Sequence, residues 1–312
     1  MSRQGELRPP EEIRGGSNNV DVMGSQGNLL VIGARSLIGR RMREAVNGWQ
    51  GEVRFTSRRP LSGQSLIFDL DHPDTFDPGM TFSHVIMCSP IWLASDAVLE
   101  RLVQLGMKRL IAFSSTSRLT KGASPEPAER EVVAQLAEGE ARISAFCPKH
   151  GVAYTILRPT LIYDEGQDEN VSQIASLIRK LGFFPVCGPA SGLRQPVHAR
   201  ELARAAIQAL PARAAFDRDY NLSGGEALTY RAMVERIFRG LGRKPFIVSL
   251  PLEVWKFALA VLDWLRPNKT LKRNVNMVTR MNVDLWFDHA AATHDFGYAP
   301  GPFIPGDFTP AS

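Results

Sequence analysis

Asn28-Leu29-Leu30-Val31-Ile32-Gly33-Ala34-Arg35-Ser36-Leu37-Ile38-Gly39 is the stretch that decides the reading of this chain. Its apolar run does not alternate with polar residues, which fits a strand covered on both faces. Gly33 closes the run, and from Ile38 to Val46 apolar residues recur at helical spacing with Arg and Glu between them. Val53–Thr56 follows as a second strand. Strand, glycine turn, helix and strand within roughly 30 residues make a βαβ unit, which closes right-handed onto a parallel sheet.

The alternation continues outward. Leu66–Phe68, His84–Met87, Leu110–Phe113 and Tyr154–Leu157 read as strands, with helices over Ala94–Leu105 and Pro127–His150. The predicted fold class is therefore α/β, a doubly wound parallel sheet. After Tyr163 the pattern changes to helices over 171–181, 200–210 and 229–241 separated by loops. Residues 28–165 are read as the sheet domain and 166–312 as a smaller substrate-side lobe. The boundary is approximate and leaves room for the chain to cross back.

Composition excludes several classes. With 312 residues, 44% hydrophobic and 22% charged, the chain is too apolar for disorder and long enough to enclose a cleft. Net charge is +5, too small to announce nucleic acid, and no nucleic-acid recognition module is present. Cys88, Cys147 and Cys187 form no CxxC, so a disulfide framework and a metal site are not expected. Residues 1–27 lack an apolar stretch and read as a disordered leader rather than a signal peptide. The expected localisation is cytoplasmic.

Gly33 permits a tight turn and Gly39 lets the helix approach the sheet, so the helix N-terminus can offer N–H groups to a pyrophosphate. Ser36 stands where such turns carry a middle glycine, which narrows the backbone approach. Gly33–Gly39 (GARSLIG) resembles the GATGFIG turn of the extended short-chain dehydrogenase/reductase superfamily, in its NAD-dependent epimerase/dehydratase branch. Further segments resemble that family in order. They are Asp69-Leu70, Ser114-Ser115-Thr116, Arg158-Pro159-Thr160-Leu161-Ile162-Tyr163, Pro196-Val197-His198 and Tyr220-Asn221-Leu222-Ser223-Gly224-Gly225-Glu226. The resemblance implies a Rossmann-type NAD(P)-binding domain. Its cofactor-facing residues would be Gly33, Arg35, Ser36, Leu37, Ile38, Gly39, Asp69, Leu70, Ser89, Ser114 and Pro159.

The second strand ends Thr56-Ser57-Arg58-Arg59 without the carboxylate that would hold a ribose 2′-hydroxyl. Arg58 and Arg59, with Arg35 nearby, suit a 2′-phosphate through bidentate bonds. Ser57, Arg58 and Arg59 therefore join the cofactor set. NADP(H) is the expected cofactor, with NAD(H) as the alternative.

The family's chemistry uses a Ser/Thr, a Tyr and a Lys four residues later. Thr116 matches the first. The other two are missing, since Pro125–Cys147 contains no Tyr and only Arg130 and Arg142 as basic residues. Anchoring on Glu140, which resembles the family's helix Glu, puts Val132 and Leu136 at the Tyr and Lys positions. Lys121 is the nearest titratable candidate. Glu129, Glu131 or Gln135 would enter the site if the helix register differs by a turn, and loss of hydride chemistry is the third explanation.

On the substrate side, the resemblance gives Arg194 to a diphosphate and places His198 beside the substrate, with no metal. Leu252, Trp255, Leu259 and Leu262 lie on one helical face, while Val254, Phe257, Val261 and Trp264 make the other apolar too. Arg266, Lys269, Lys272, Arg273 and Arg280 follow. That pattern suits peripheral contact of 250–280 with an anionic membrane at its inner face. The expected partners are a sugar-nucleotide or lipid-linked sugar substrate and, by resemblance, a second copy in a homodimer. Two readings stand: an atypical epimerase, dehydratase or reductase, and a non-catalytic NAD(P)H-binding regulator or accessory subunit of a membrane complex.

Overall fold

Seven strands, every adjacent pair parallel, form the central sheet of the computed structural model, which describes residues 27–59, 65–265 and 278–306, the side chains of 259 and 262–265 excepted. The strands are β1 (Leu29–Ile32), β2 (Val53–Ser57), β3 (Ser65–Ile67), β4 (His84–Met87), β5 (Arg109–Phe113), β6 (Ala153–Pro159) and β11 (Arg218–Leu222). They lie in the order β11-β6-β5-β4-β1-β2-β3. The chain thus runs outward from β1 to β3, returns to β4 and runs the other way. This places a topological switch between β1 and β4, where open α/β sheets leave a crevice beyond the carboxyl ends of the strands. Residues 1–26 of the expected 1–27 leader and the basic residues from Arg266 to Arg273 lie outside the described residues.

Helices cover both faces because β1 and its neighbours are apolar without alternation. Leu29 and Val31 face one layer, with Ile38 and Met42 of α1 (Leu37–Ala45) and Leu202, Ala203 and Ala206 of α6 (Ala199–Ala209). Leu30 and Ile32 face the other, with Val98, Leu99 and Leu102 of α2 (Asp96–Gln104) and Leu136, Ile143 and Phe146 of α4 (Pro127–Lys149). Arg109 is the buried exception at the base of β5. Its guanidinium donates to the Ala209 and Leu210 carbonyls at the end of α6 and to Thr155 Oγ1, and it lies over the Phe216 ring. Burial pulls its pKa down to about 10, which leaves it charged at neutral pH.

The sequence accounts for six of the strands. The seventh, β11, is formed by the Tyr220-Asn221-Leu222 segment, which pairs with β6 from Arg218↔Thr155 to Leu222↔Pro159. The chain therefore re-enters the sheet after building much of the second lobe. That lobe has its own core, in which α5 (Val171–Leu181), α7 (Tyr230–Gly240) and the parallel pair β8 (Phe184–Cys187) and β13 (Ile247–Leu250) meet. On α8 (Leu252–Leu265), Leu252 and Trp255 pack against this core, and the indole N–H donates to the Val186 carbonyl. Val254, Phe257 and Val261 face outward. No helix among the described residues is long and apolar enough to cross a membrane.

Candidate functional site

The crevice between β1 and β4 is a cavity of about 710 Å³. Gly33, Arg35 and Ser36 line it from the first turn, and Thr56, Ser57, Arg58 and Arg59 from the end of β2. Leu70 and Asp71 close it after β3, and Ser89, Pro90 and Leu93 after β4. Gly33 has φ +87°, and a Cβ there would stand 2.6 Å from the Ser89 amide nitrogen. A Cβ on Gly39 would stand 2.2 Å from the Gly33 carbonyl oxygen. Both positions therefore require glycine, one for the turn against β4 and the other for the approach of α1.

Ser36 has φ −65°, ψ 162°, an ordinary extended conformation, so a side chain is accommodated where the resemblance has glycine. Its Oγ accepts the Gly39 N–H at 3.0 Å and caps α1. The serine thus exchanges open access for a fixed helix start. Leu37 and Ile38 form the first turn behind it, Ile38 buried against the sheet.

Arg35, Arg58 and Arg59 are exposed around the cavity, and among the described residues no carboxylate pairs with their guanidinium groups. Two hydroxyls of its wall, Thr56 Oγ1 and Ser89 Oγ, are buried without a hydrogen-bond partner. Buried hydroxyls without partners beside exposed arginines give this wall the capacity to hold a polar, anionic group. Removing one of them should relieve the unliganded protein. Thr56→Val is expected to raise its unfolding free energy by roughly 1 kcal/mol in urea, and a loss of that size would reveal a partner for the hydroxyl.

Asp69 does not line the cavity. Its carboxylate accepts the Asp71 N–H, and Leu70 and Asp71 provide the wall instead.

Beyond the strands' ends, Ser114 Oγ donates to Glu140 at 2.5 Å, and Thr116 Oγ1 donates to the Pro159 carbonyl at 3.1 Å. The β5 and β6 ends are thereby held together, and Thr116 keeps oxygen lone pairs for a donor. Glu140, buried on α4, also takes Arg158 through both carboxylate oxygens and Arg118 at 2.9 Å. Val132 is 41% exposed and Leu136 is buried in the core under the sheet. Lys121 lies 3.2 Å from Glu129, which also takes Ser124 Oγ and a two-pronged contact from Arg280. Arg280, with Ser124 and Lys121, holds Glu129 well below the usual carboxylate range. Lys121 is thus half of an ion pair, and Arg280 is turned inward rather than continuing a basic outer surface. Glu131 is exposed and Gln135 half-buried.

Arg194 is buried, and its guanidinium donates to the carbonyls of Leu193, Val283 and Arg280. Those bonds tie the 280–283 segment to the lobe and occupy the fork that would grip a diphosphate. His198 caps α6, with Nδ1 accepting the Arg200 N–H at 2.9 Å, so Nε2 carries the proton toward Glu165 at 3.0 Å. Asp164, Glu165 and His198 approach one another closely enough for a cation. Arg41 already neutralises Asp164, however, and the imidazole presents N–H rather than a lone pair. His198 pulls the Glu165 pKa down to about 2 from 4.5. The stabilisation it provides is present above the unfolded value of 4.5 and is lost as pH falls toward about 2. Glu165→Gln should therefore be less stable than wild type at neutral pH, and the difference should vanish across that acid window in pH-dependent urea unfolding.

No family model and no curated protein sequence matches the chain. Solved structures do. MoeE5, in complex with UDP-glucose and NAD, superposes with a TM-score of 0.67 at 19% identity over 90% of this chain and 96% of that one. UDP-glucose 4-epimerase from Thermotoga maritima, with UDP-glucose, gives 0.65 at 15% identity over 91% and 96%. A short-chain dehydrogenase/reductase superfamily protein from Agrobacterium tumefaciens with bound NAD gives 0.62 at 13% identity over 90% and 94%. The fold is shared along nearly the whole of each chain.

Proposed function

We propose that this chain is an atypical member of the short-chain dehydrogenase/reductase superfamily, in the epimerase/dehydratase branch, that binds NADP(H) and acts on a nucleotide-sugar or lipid-linked sugar. The observation that carries the reading is the β1/β4 cavity, with its glycine turn and, among the described residues, three arginines without a carboxylate partner and two unpartnered hydroxyls. The neighbours crystallised with NAD and UDP-sugars support it through a common fold.

The cofactor would be held by Gly33, Ser36, Ser57, Leu70 and Ser89, with Arg35, Arg58 and Arg59 available to a 2′-phosphate. When bound it supplies a hydride donor or acceptor. Thr116, its own proton engaged by Pro159, would accept a hydrogen bond from a substrate hydroxyl and orient it. Lys121 would act by holding Glu129 ionised, since its ammonium already faces that carboxylate. Glu129 itself, kept as an anion with both oxygens occupied, would serve as a counter-charge and neither as a proton donor nor as a base.

A second reading, a non-catalytic NAD(P)H-binding regulator or accessory subunit, is favoured by Val132 and Leu136, neither of which can move a proton. Calorimetric titration with NADPH and NADH, followed by the nicotinamide absorbance in the presence of UDP-sugars, tests both. The enzyme reading expects NADPH to bind and its absorbance to change with a sugar. Binding without any change assigns the regulator, and binding of neither nucleotide removes both readings.

A further inference from the structure

Two loop tips of the second lobe are pinned together and carry an unusual combination of side chains. The first, 177–184 (LIRKLGFF), ends α5 at Gly182, which takes φ +78° and turns Phe183 away from the helix. The second, 239–246 (RGLGRKPF), leads from α7 into β13. Arg243 donates to the carbonyls of Ile178 and Arg179 at 2.9 and 3.2 Å, and the Phe184 N–H donates to the Phe246 carbonyl at 3.0 Å. The Phe183 and Phe246 rings stand 6.1 Å apart. The two tips therefore form one fixed surface, not two independent loops.

That surface leaves Phe246 60% exposed, and Leu177 and Leu181 are exposed beside it. Arg179, Lys180, Arg239, Arg243 and Lys244 are interleaved with them, all exposed, and neither segment contains an acidic residue. Arg239 pairs with Glu235 of its own helix at 3.6 Å. Apolar side chains separated by cations do not offer the continuous patch that a protein partner buries. They do match a lipid headgroup layer, where aromatic rings settle at the interface and long basic side chains reach the phosphates.

We propose that these paired tips form a docking site for an anionic bilayer surface, with Phe246, Leu181 and Phe183 entering the headgroup layer and Lys180, Lys244 and Arg243 facing its phosphates and carboxylates. Of the basic residues after α8, Arg280 faces Glu129 and is not available to such a surface. The proposal stands apart from the cofactor reading, since it involves no residue of the β1/β4 cavity.

The test is sedimentation of the full chain with phosphatidylcholine vesicles with and without phosphatidylserine. Binding is expected only with phosphatidylserine and should weaken as salt rises. Lys180→Ala/Lys244→Ala should weaken it roughly 25-fold, a factor of about five for each charge. Phe246→Ala should weaken it as well, and circular dichroism checks that both variants fold. Absence of binding, or equal binding by wild type and both variants, overturns the proposal. So does a dimer in analytical ultracentrifugation that Phe246→Ala converts to monomer, because that result gives the surface to a second copy.

Discussion

NADPH affinity is expected to fall by more than 100-fold in the Arg58→Ala/Arg59→Ala variant, with NADH affinity changed only slightly. Hydrogen bonds to charged groups contribute about 1.5–3 kcal/mol each. Both guanidinium groups are exposed in the unliganded cavity, so the lower end of that range applies, and two contacts then give about 3 kcal/mol. The effect is selective because the rest of the cavity wall, Gly33, Ser36, Leu70 and Ser89, is untouched. Neither side chain has a protein partner among the described residues, so the variant should melt with the wild type. Calorimetric titration of both nucleotides measures the ratio. Equal losses for NADPH and NADH would mean that the arginines act on the pyrophosphate or on the fold, and the 2′-phosphate assignment would be withdrawn.

Glu140→Leu is expected to cost stability more than any other single change considered. The carboxylate is 4% exposed and receives Ser114, Arg118 and Arg158. Leucine would leave Arg158 with only Asp219, strand Ser114 without an acceptor and preserve the helix. Breaking a buried pair from one side costs about 3–5 kcal/mol. At about 2–4 °C per kcal/mol for a chain of this size, the thermal midpoint should drop by roughly 10 °C. Glu140→Gln keeps the shape and one acceptor and should lose about half as much. A drop below about 6 °C for leucine, the least that single-sided loss predicts, would show that the cluster positions Thr116 without holding the fold.

The sheet was largely legible because β1, β4 and β5 are apolar without alternation, a pattern that only double coverage explains. β11 escaped because Tyr220-Asn221-Leu222 is short and polar at its centre, and its identity as a strand comes from pairing with β6, about sixty residues earlier. The cavity was legible for a different reason: Gly33, Arg58 and Arg59 follow strands directly and Ser57 ends one, and residues at the carboxyl end of a parallel strand face the crevice. Ser36 could be recognised as a departure, but its capping of α1 depends on a single torsion that one letter does not encode.

Arg194 and His198 were the least legible. Their residue types fit a diphosphate or a substrate, yet what they bond is decided by backbone from distant segments. The Val283 and Arg280 carbonyls approach Arg194 from almost ninety residues away, and Arg200's amide fixes the imidazole tautomer. Glu140 was noticed only as a register mark. The three partners that make it central arrive from β5, the turn after it and β6.

The late arrival of β11 has a consequence for how the molecule is made. During synthesis β6 emerges with one side of its backbone unpaired, and it stays so until residues 218–222 leave the ribosome. An unpaired edge of seven residues is long enough to recruit another nascent chain. Thr155 on that strand accepts from Arg109 and donates to the Ala215 carbonyl on the finished molecule, and the second contact forms only when the turn after α6 has arrived. Non-local pairing of this kind slows folding. A fragment ending near residue 165 would carry the whole β1/β4 cavity and still present that open edge, so it should aggregate, whereas extension to residue 222 would close the sheet.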